Sequence, residues 1–227
     1  MRFIEKAAGF ELQTDRYLAF FGKHNSSLDL LRKSYPAFEW SWVKQVHGSH
    51  VVFAETAFQG QIEADAQWTT SPQVALITRT ADCLPVLAYN SKTHAALSIH
   101  AGWRGVAQRI IPQTLDHLRN EGHLAEDFEF FLGPHILKNS FELQKDTVEL
   151  LRTSTKLQES IWLSTSATGY LVDLLSIAKS QIQECGGRTH SISDFIFDTK
   201  TDLRFHSFRR DRENSGRQIS FLALFNP

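Results

Sequence analysis

Three runs decide the fold: Val74-Ala75-Leu76-Ile77-Thr78, Pro85-Val86-Leu87-Ala88-Tyr89 and Ala95-Ala96-Leu97-Ser98-Ile99. The first and third are almost continuously apolar, which predicts strands covered on both faces; a half-exposed strand would alternate. Toward the N-terminus, residues 17–21, 39–43 and 50–54 are likewise short, aromatic or β-branched, and bounded by turn residues, so they read as strands. Toward the C-terminus the pattern becomes mixed. Strand character returns at 128–132 and 217–225, and helices are predicted at 105–120, 146–151 and 173–184. In the first helix Val106, Ile110, Ile111, Leu115 and Leu118 recur at helical spacing, and Pro112 inside it is expected to kink it. Gly186-Gly187 would stop the last one. Strands first, then strands mixed with helices, predict an α+β or layered architecture. No repeat and no Pro/Gly/Ser-rich segment divides the chain, so residues 1–227 are expected to form one domain.

Composition removes several function classes. Lys plus Arg is 24 against 25 Asp plus Glu, a formal net charge of -1, without the basic excess of a nucleic-acid binder. With 42% hydrophobic residues the chain is not a disordered one. The longest stretches free of charge, 66–78 and 160–172, have 13 residues each. A membrane-spanning helix needs roughly 20. The N-terminus shows no signal-peptide pattern. Two cysteines, Cys83 and Cys185, are too few for a disulfide scaffold. They are expected to be free thiols in a reduced, cytoplasmic protein.

Chemistry-bearing residues collect where strands end. Thr80-Ala81-Asp82-Cys83 follows the first run, and His100-Ala101-Gly102-Trp103-Arg104-Gly105 follows the third. Lys44-Gln45-Val46-His47-Gly48 follows the strand at 39–43. His47, Cys83 and His100 are then three imidazole or thiolate donors at strand ends, a set suited to zinc or copper with one position open. The same residues also fit a packing role, since Cys is among the most buried residue types and their spacing matches no local metal motif. Arg104, at a strand-to-helix turn rich in glycine, would offer a charged fork to an anion. Arginines also crowd 204–212, where Arg209 and Arg210 would form a second wall of an anion pocket, and Arg79 precedes Cys83 by four residues. Read as a strand, 209–210 would send one side chain inward and one outward. No phosphate loop, G-x-G-x-x-G, H-E-x-x-H, G-x-S-x-G or zinc nucleobase deaminase signature is present.

Taken together, Lys44–His47–Gly48, Ala64-Asp65-Ala66, Thr80-Ala81-Asp82-Cys83-Leu84-Pro85-Val86, the His100–Gly105 segment, Gly133-Pro134 and Ser207-Phe208-Arg209-Arg210-Asp211 occur in that order and resemble the laccase-domain family. That family was once called polyphenol oxidases. Its members are described as purine nucleoside phosphorylases and, in some bacteria, as peptidoglycan-editing factors. The resemblance implies a layered α/β/β/α sandwich with mixed sheets, with zinc held by His47, Cys83 and His100. It further implies phosphorolysis of adenosine, inosine, guanosine or 5′-methylthioadenosine, with adenosine deamination as a second activity. Cys83, His100 and Asp82 are the catalytic candidates; Arg104, Arg79, Arg209 and Arg210 are the phosphate-binding ones. Partners are then a purine nucleoside and phosphate, with no nucleic acid and no membrane, in a monomer or homodimer.

Two other chemistries fit some of the residues. Cys83 as nucleophile with His100 as base would make a cysteine hydrolase acting on a peptidoglycan precursor. Copper-dependent phenol oxidation is disfavoured, because 10 histidines without an H-x-H pair do not readily build a copper cluster. The chain departs from the family at His135, where the family usually has Cys; His135 reads as a surface histidine.

Overall fold

Apolar residues alternating or running together set the first strands, β1 (Ile4–Glu5), β2 (Gly9–Gln13) and β3 (Tyr17–Gly22), in the computed structural model, which describes residues 2–226. Ser27 then caps α1 (Leu28–Ser34), its side chain accepting from Leu30 N–H. Next come β4 (Glu39–Lys44), β5 (Val51–Phe53), β6 (Gln59–Glu63) and β7 (Ala66–Thr69). The three deciding runs become β8 (Val74–Thr80), β9 (Leu84–Asn90) and β10 (Ala96–Ala101). Helices α2 (Trp103–Ala107) and α3 (Ile110–Asn120) lead to β11 (Phe128–Leu132). The chain continues through β12 (Glu142–Leu143), α4 (Lys145–Arg152), α5 (Glu159–Trp162), β13 (Leu163–Thr165) and β14 (Tyr170–Val172). It closes with α6 (Leu174–Glu184), β15 (Ile192–Asp194), α7 (Phe208–Asp211) and β16 (Gln218–Leu224).

Two large sheets result. One has the order β1-β2-β3-β16-β8-β4-β6, the other β15-β11-β9-β10-β7-β5; β12-β14-β13 form a small third sheet. Both large sheets are mixed: most pairs are antiparallel, but β4 runs parallel to β8 and β5 to β7. Phe21, Leu76, Leu87, Phe131 and Leu222 fill the space between the sheets. On the outside of the second sheet, Leu97, Ile99 and Phe130 pack against Ile110, Leu115 and Ile177 of the helices. On the outside of the first, Trp40, Ile77 and Phe221 meet Leu31 of α1. The order of layers is therefore α/β/β/α, and β8 and β10 are covered on both faces, as their apolar runs require. Among the described residues no helix is long and apolar enough to cross a membrane.

Four expectations need correction. The segment 105–120 is two helices, and the break falls at Arg109, whose φ of 61° is left-handed. Pro112 causes no kink: it sits in the first turn of α3, where its missing N–H has no intrahelical partner to lose. The arginine-rich segment is not a strand either, since residues 208–211 form a helical turn capped by Ser207. Finally, His135 is buried, 1% exposed, with Nδ1 against the Gly133 carbonyl; burial pushes its pKa down, so it is a packed neutral group rather than a surface one.

Candidate active site

The β8–β9 connection is only Ala81-Asp82-Cys83, yet it carries the chain from one large sheet to the other. So sharp a corner puts Asp82 at a φ of 83°, a left-handed conformation that Asp tolerates better than most residues. Cys83 emerges from it just ahead of β9. In the adjacent β10, His100 lies opposite Pro85 and Ala101 opposite Leu84, so the antiparallel pairing itself brings His100 beside Cys83. His47 arrives from a third direction, in the turn after β4, with a φ of 59°. Gln45 anchors that turn: its side-chain amide accepts from Arg79 N–H and donates to Arg79 C=O, both at 2.8 Å, mimicking one more rung of the sheet.

The donor atoms of His47, Cys83 and His100 all lie within 4.8 Å of one another. The rings of His47 and His100 have centroids 4.8 Å apart and are nearly perpendicular, at 76°. Gly102 makes room for the group. A Cβ there would stand 3.0 Å from Cys83 Sγ and 3.2 Å from His47 Cδ2. Gly105 does the same for the approach of α2 to the His47 turn, since a Cβ would meet the Gly48 carbonyl at 3.0 Å.

Asp65 holds both histidines. Its carboxylate accepts from the backbone N–H groups of Val46, His47 and Gly48 at 3.2, 2.9 and 2.6 Å. It also bonds His100 Nδ1 at 2.8 Å. That last contact leaves His100 Nε2 as the nitrogen free to face Cys83. Burial pushes the Asp65 carboxyl up, but the His100 bond and the backbone donors outweigh it and hold it low. Burial likewise works against a Cys83 thiolate, yet the charge and hydrogen bonds of His100, with His47, bring its pKa below the ordinary thiol value. Burial would push His100 down, and the Cys83 thiolate and Asp65 push it up instead. A thiolate beside two imidazoles, with one imidazole oriented by a carboxylate, is a donor set that fits zinc or copper. Cys185 is different: burial raises its thiol to about 11, and both cysteines are free.

Beside this group opens a cavity of about 810 Å³. His47, Cys83 and His100 line it, with Arg79, Arg104, Arg209, Arg212 and Arg217 and the rings of Trp42, Trp103, Phe141 and Phe208. Arg104 lies over Trp103 at 4.5 Å, and Arg209 over Phe141 at 5.4 Å while donating to the Glu142 carbonyl at 3.0 Å. Arg210 is placed elsewhere: it donates to the carbonyls of Thr199, Lys200 and Phe205 and pairs with Asp211, so it braces its own loop. Asp82 lines the cavity, but its oxygens are already engaged. They accept from the Thr199 hydroxyl at 2.7 Å and from Arg209 N–H at 2.6 Å. It fixes the Arg209 turn against the Cys83 corner. The helix start at Arg104 is only a five-residue helix, so its dipole adds little and the guanidinium carries the anion attraction.

The sequence places Asp65 and Gln45 only within larger motifs and Arg212 only within the basic run, with no role of their own, and Trp42 and Arg217 in no motif. Asp65 was visible as the acid of Ala64-Asp65-Ala66, a motif of the resemblance, but nothing beside it in the chain pointed to His100.

The family described as multi-copper polyphenol oxidoreductase laccase matches residues 24–225. A purine nucleoside phosphorylase of Pseudomonas aeruginosa is 31% identical over 186 residues, covering 81% of this chain and 74% of that protein. The purine nucleoside phosphorylase YfiH of Escherichia coli is 28% identical over 183 residues, 81% of this chain and 73% of its own. Among solved structures, YlmD from Geobacillus stearothermophilus superposes with a TM-score of 0.88 at 21% identity, over 99% of both chains. A Bacillus licheniformis protein, YfiH, gives 0.89 at 20% identity over 98% of both; these two likenesses concern the fold.

Proposed function

Since this chain belongs to the multi-copper polyphenol oxidoreductase laccase family, we propose from the chemistry of its cavity that it is a metal-dependent purine nucleoside phosphorylase. The observation that carries this reading is the junction of a His-Cys-His donor set with unpaired arginines in one aromatic-lined cavity. Phosphorolysis needs an oxyanion held beside a sugar, a means of easing the base away, and a site that excludes water. Arg104 and Arg209 flank the metal group and offer planar, permanently charged forks to phosphate. Trp103 and Phe141 give apolar walls for the sugar and base. Asp82 keeps Arg209 aimed by bonding its backbone N–H. His47, Cys83 and His100 would hold zinc, which supplies Lewis-acid polarisation when bound.

Two features weigh against other readings. The Cys83–His100–Asp65 series has the order of a catalytic triad, but a cysteine hydrolase built on it would leave His47 and the arginines of the cavity without a part. Among the described residues His47, Cys83 and His100 are the one group able to hold an ion, and three ligands hold one ion, not the cluster that copper oxidation of phenols uses. The test is a product assay with adenosine, inosine, guanosine and 5′-methylthioadenosine, alongside metal analysis. Base and ribose 1-phosphate are expected, made only when phosphate is present; inosine from adenosine without phosphate would mean deamination. Arg104→Ala is expected to lower kcat/KM for phosphate about ten- to a hundredfold, the worth of one charge-assisted contact, with metal content retained. Unchanged phosphate kinetics would remove Arg104 from the site.

A further inference from the structure

Arg79 is a guanidinium of the cavity that the fold takes partly out of water without giving it a partner. It is half-buried. Among the described residues its buried Nε has no hydrogen-bond partner, and no carboxylate pairs with it. Burial lowers its pKa, and no anion pushes it back. The other arginines of the cavity are provided for. Arg104, Arg212 and Arg217 are exposed to water, and Arg209 donates to the Glu142 carbonyl at 3.0 Å. A buried donor without an acceptor is costly, so Arg79 is set to receive one from a ligand.

Its neighbours fix where it points. Gln45 grips the Arg79 backbone on one edge of β8, bonding both its N–H and its C=O at 2.8 Å, and Ile219 of β16 lies opposite on the other edge. Strand alternation puts Arg79 on the face of Ile77, the outer face of the first sheet, where Trp42 also lies. The Arg79 guanidinium stands over the Trp42 ring at 5.2 Å. Gly60, with a φ of 83°, leaves the indole its place, since a Cβ there would stand 2.9 Å from Trp42 Nε1. One wall of the cavity, from β4, β6 and β8, thus carries Trp42, Gly60 and Arg79. Arg104 and Arg209 belong to other elements, α2 and α7.

This wall suits the edge of a planar base. A guanidinium is a rigid fork of donors with no acceptor, and this one is laid against an aromatic ring. The backbone N–H of Arg79 is taken by Gln45, so it cannot join the fork in closing round a tetrahedral anion. A 6-oxopurine offers O6 and N7 side by side, two acceptors that match such a fork; adenine has an amino donor in place of O6. We propose that Arg79 is the specificity-determining residue for the base, donating to O6 and N7, so that inosine and guanosine are preferred to adenosine. This rests on the phosphorolysis reading for its chemistry, and recognition of the base can be tested without it. In the reaction an oxygen of hydrogen phosphate bonds to C1′ as the C1′–N9 bond breaks. The electron pair leaves with the base, which takes up the proton that the phosphate gives up, directly or through water. The products are base and ribose 1-phosphate. As the pair spreads onto O6 and N7, their contacts with Arg79 strengthen.

The experiment compares inosine with adenosine at fixed phosphate. Wild type is expected to show kcat/KM about tenfold or more higher for inosine, the worth of one charge-assisted contact. Arg79→Met keeps an unbranched chain against Trp42 but no donor, and the ratio should collapse toward one through the loss on inosine. Arg188→Ala, which removes a charge paired with Glu126 outside the cavity, should keep the wild-type ratio. Adenosine cleaved as well as inosine by the wild type, or an unchanged ratio in Arg79→Met, would overturn the proposal while leaving the phosphorylase intact. A raised KM for phosphate at an unchanged ratio would make Arg79 a phosphate ligand instead, and overturns it too. If neither nucleoside is cleaved, the phosphorylase reading fails and calorimetric binding decides. Tighter binding of hypoxanthine than of adenine, lost in Arg79→Met, supports the base site, and equal binding refutes it.

Discussion

Asp65 receives four hydrogen bonds, three from successive backbone groups of the His47 turn and one from His100. Its partners are the scaffolds of two of the three metal-ligand candidates, so one carboxylate sets the relative position of both imidazoles. Asp65→Ala would leave the buried His100 Nδ1 without its acceptor, at a cost of about 1–3 kcal/mol, would loosen the part-buried donors of the His47 turn, and would free the His100 ring to turn. We expect metal affinity to fall about 10–100-fold, the usual effect of removing such an orienting carboxylate. Competition against a chelator of known affinity measures it. Wild-type affinity in this variant would show that the turn and the ring hold their places without Asp65.

At the scale of elements, the interruption between α2 and α3 is fixed from outside the helices. Arg109 donates to the Ser154 carbonyl at 2.6 Å and to Glu184 of α6 at 3.0 Å. Gln181 of α6, fully buried, donates to the carbonyls of Val106 and Ser154 at 3.0 Å each. Side chains of α6 thus secure the end of α2, and with it the Gly102–Arg104 segment that shapes the cavity. Pro112 should be a bystander. Pro112→Ala is expected to change stability by less than about 1 kcal/mol, with any loss coming from the freer unfolded chain. A gain near 3 kcal/mol in chemical denaturation would instead mean that the proline strains the helix.

For the whole molecule, the interface between the two large sheets determines whether the site exists. Phe21 is fully buried there, stacked on Phe3 and tilted against Phe195. Gly133 gives it space, since a Cβ at that residue would stand 2.4 Å from the ring. The same glycine donates to the carbonyl of Pro85, two residues from Cys83. Phe21→Ala should cost about 3–5 kcal/mol, as for other large-to-small changes in a packed core, read from the denaturation midpoint. A loss under about 1 kcal/mol would mean that the sheets close over the gap.

Local rules made much of this legible from the chain itself. The pleat repeats every two residues and a helix every 3.6, so burial leaves its mark in short windows. The runs at 74–78, 85–89 and 95–99 became β8, β9 and β10, and 128–132 matched β11. The strand Ala66–Thr69 escaped because Gln67 is polar, and only the fold shows that its amide is satisfied by Ser41 and the Ile77 carbonyl. The residue types of the donor set were visible as well, each beside a strand. Their neighbours were not. Asp65 meets His100 across 35 residues, Asp82 meets Thr199 across 117 and Arg209 across 127. Which arginine finds a carboxylate, and which is left facing a cavity, depends on sheet pairing between distant segments, and no pattern within a few residues encodes that pairing.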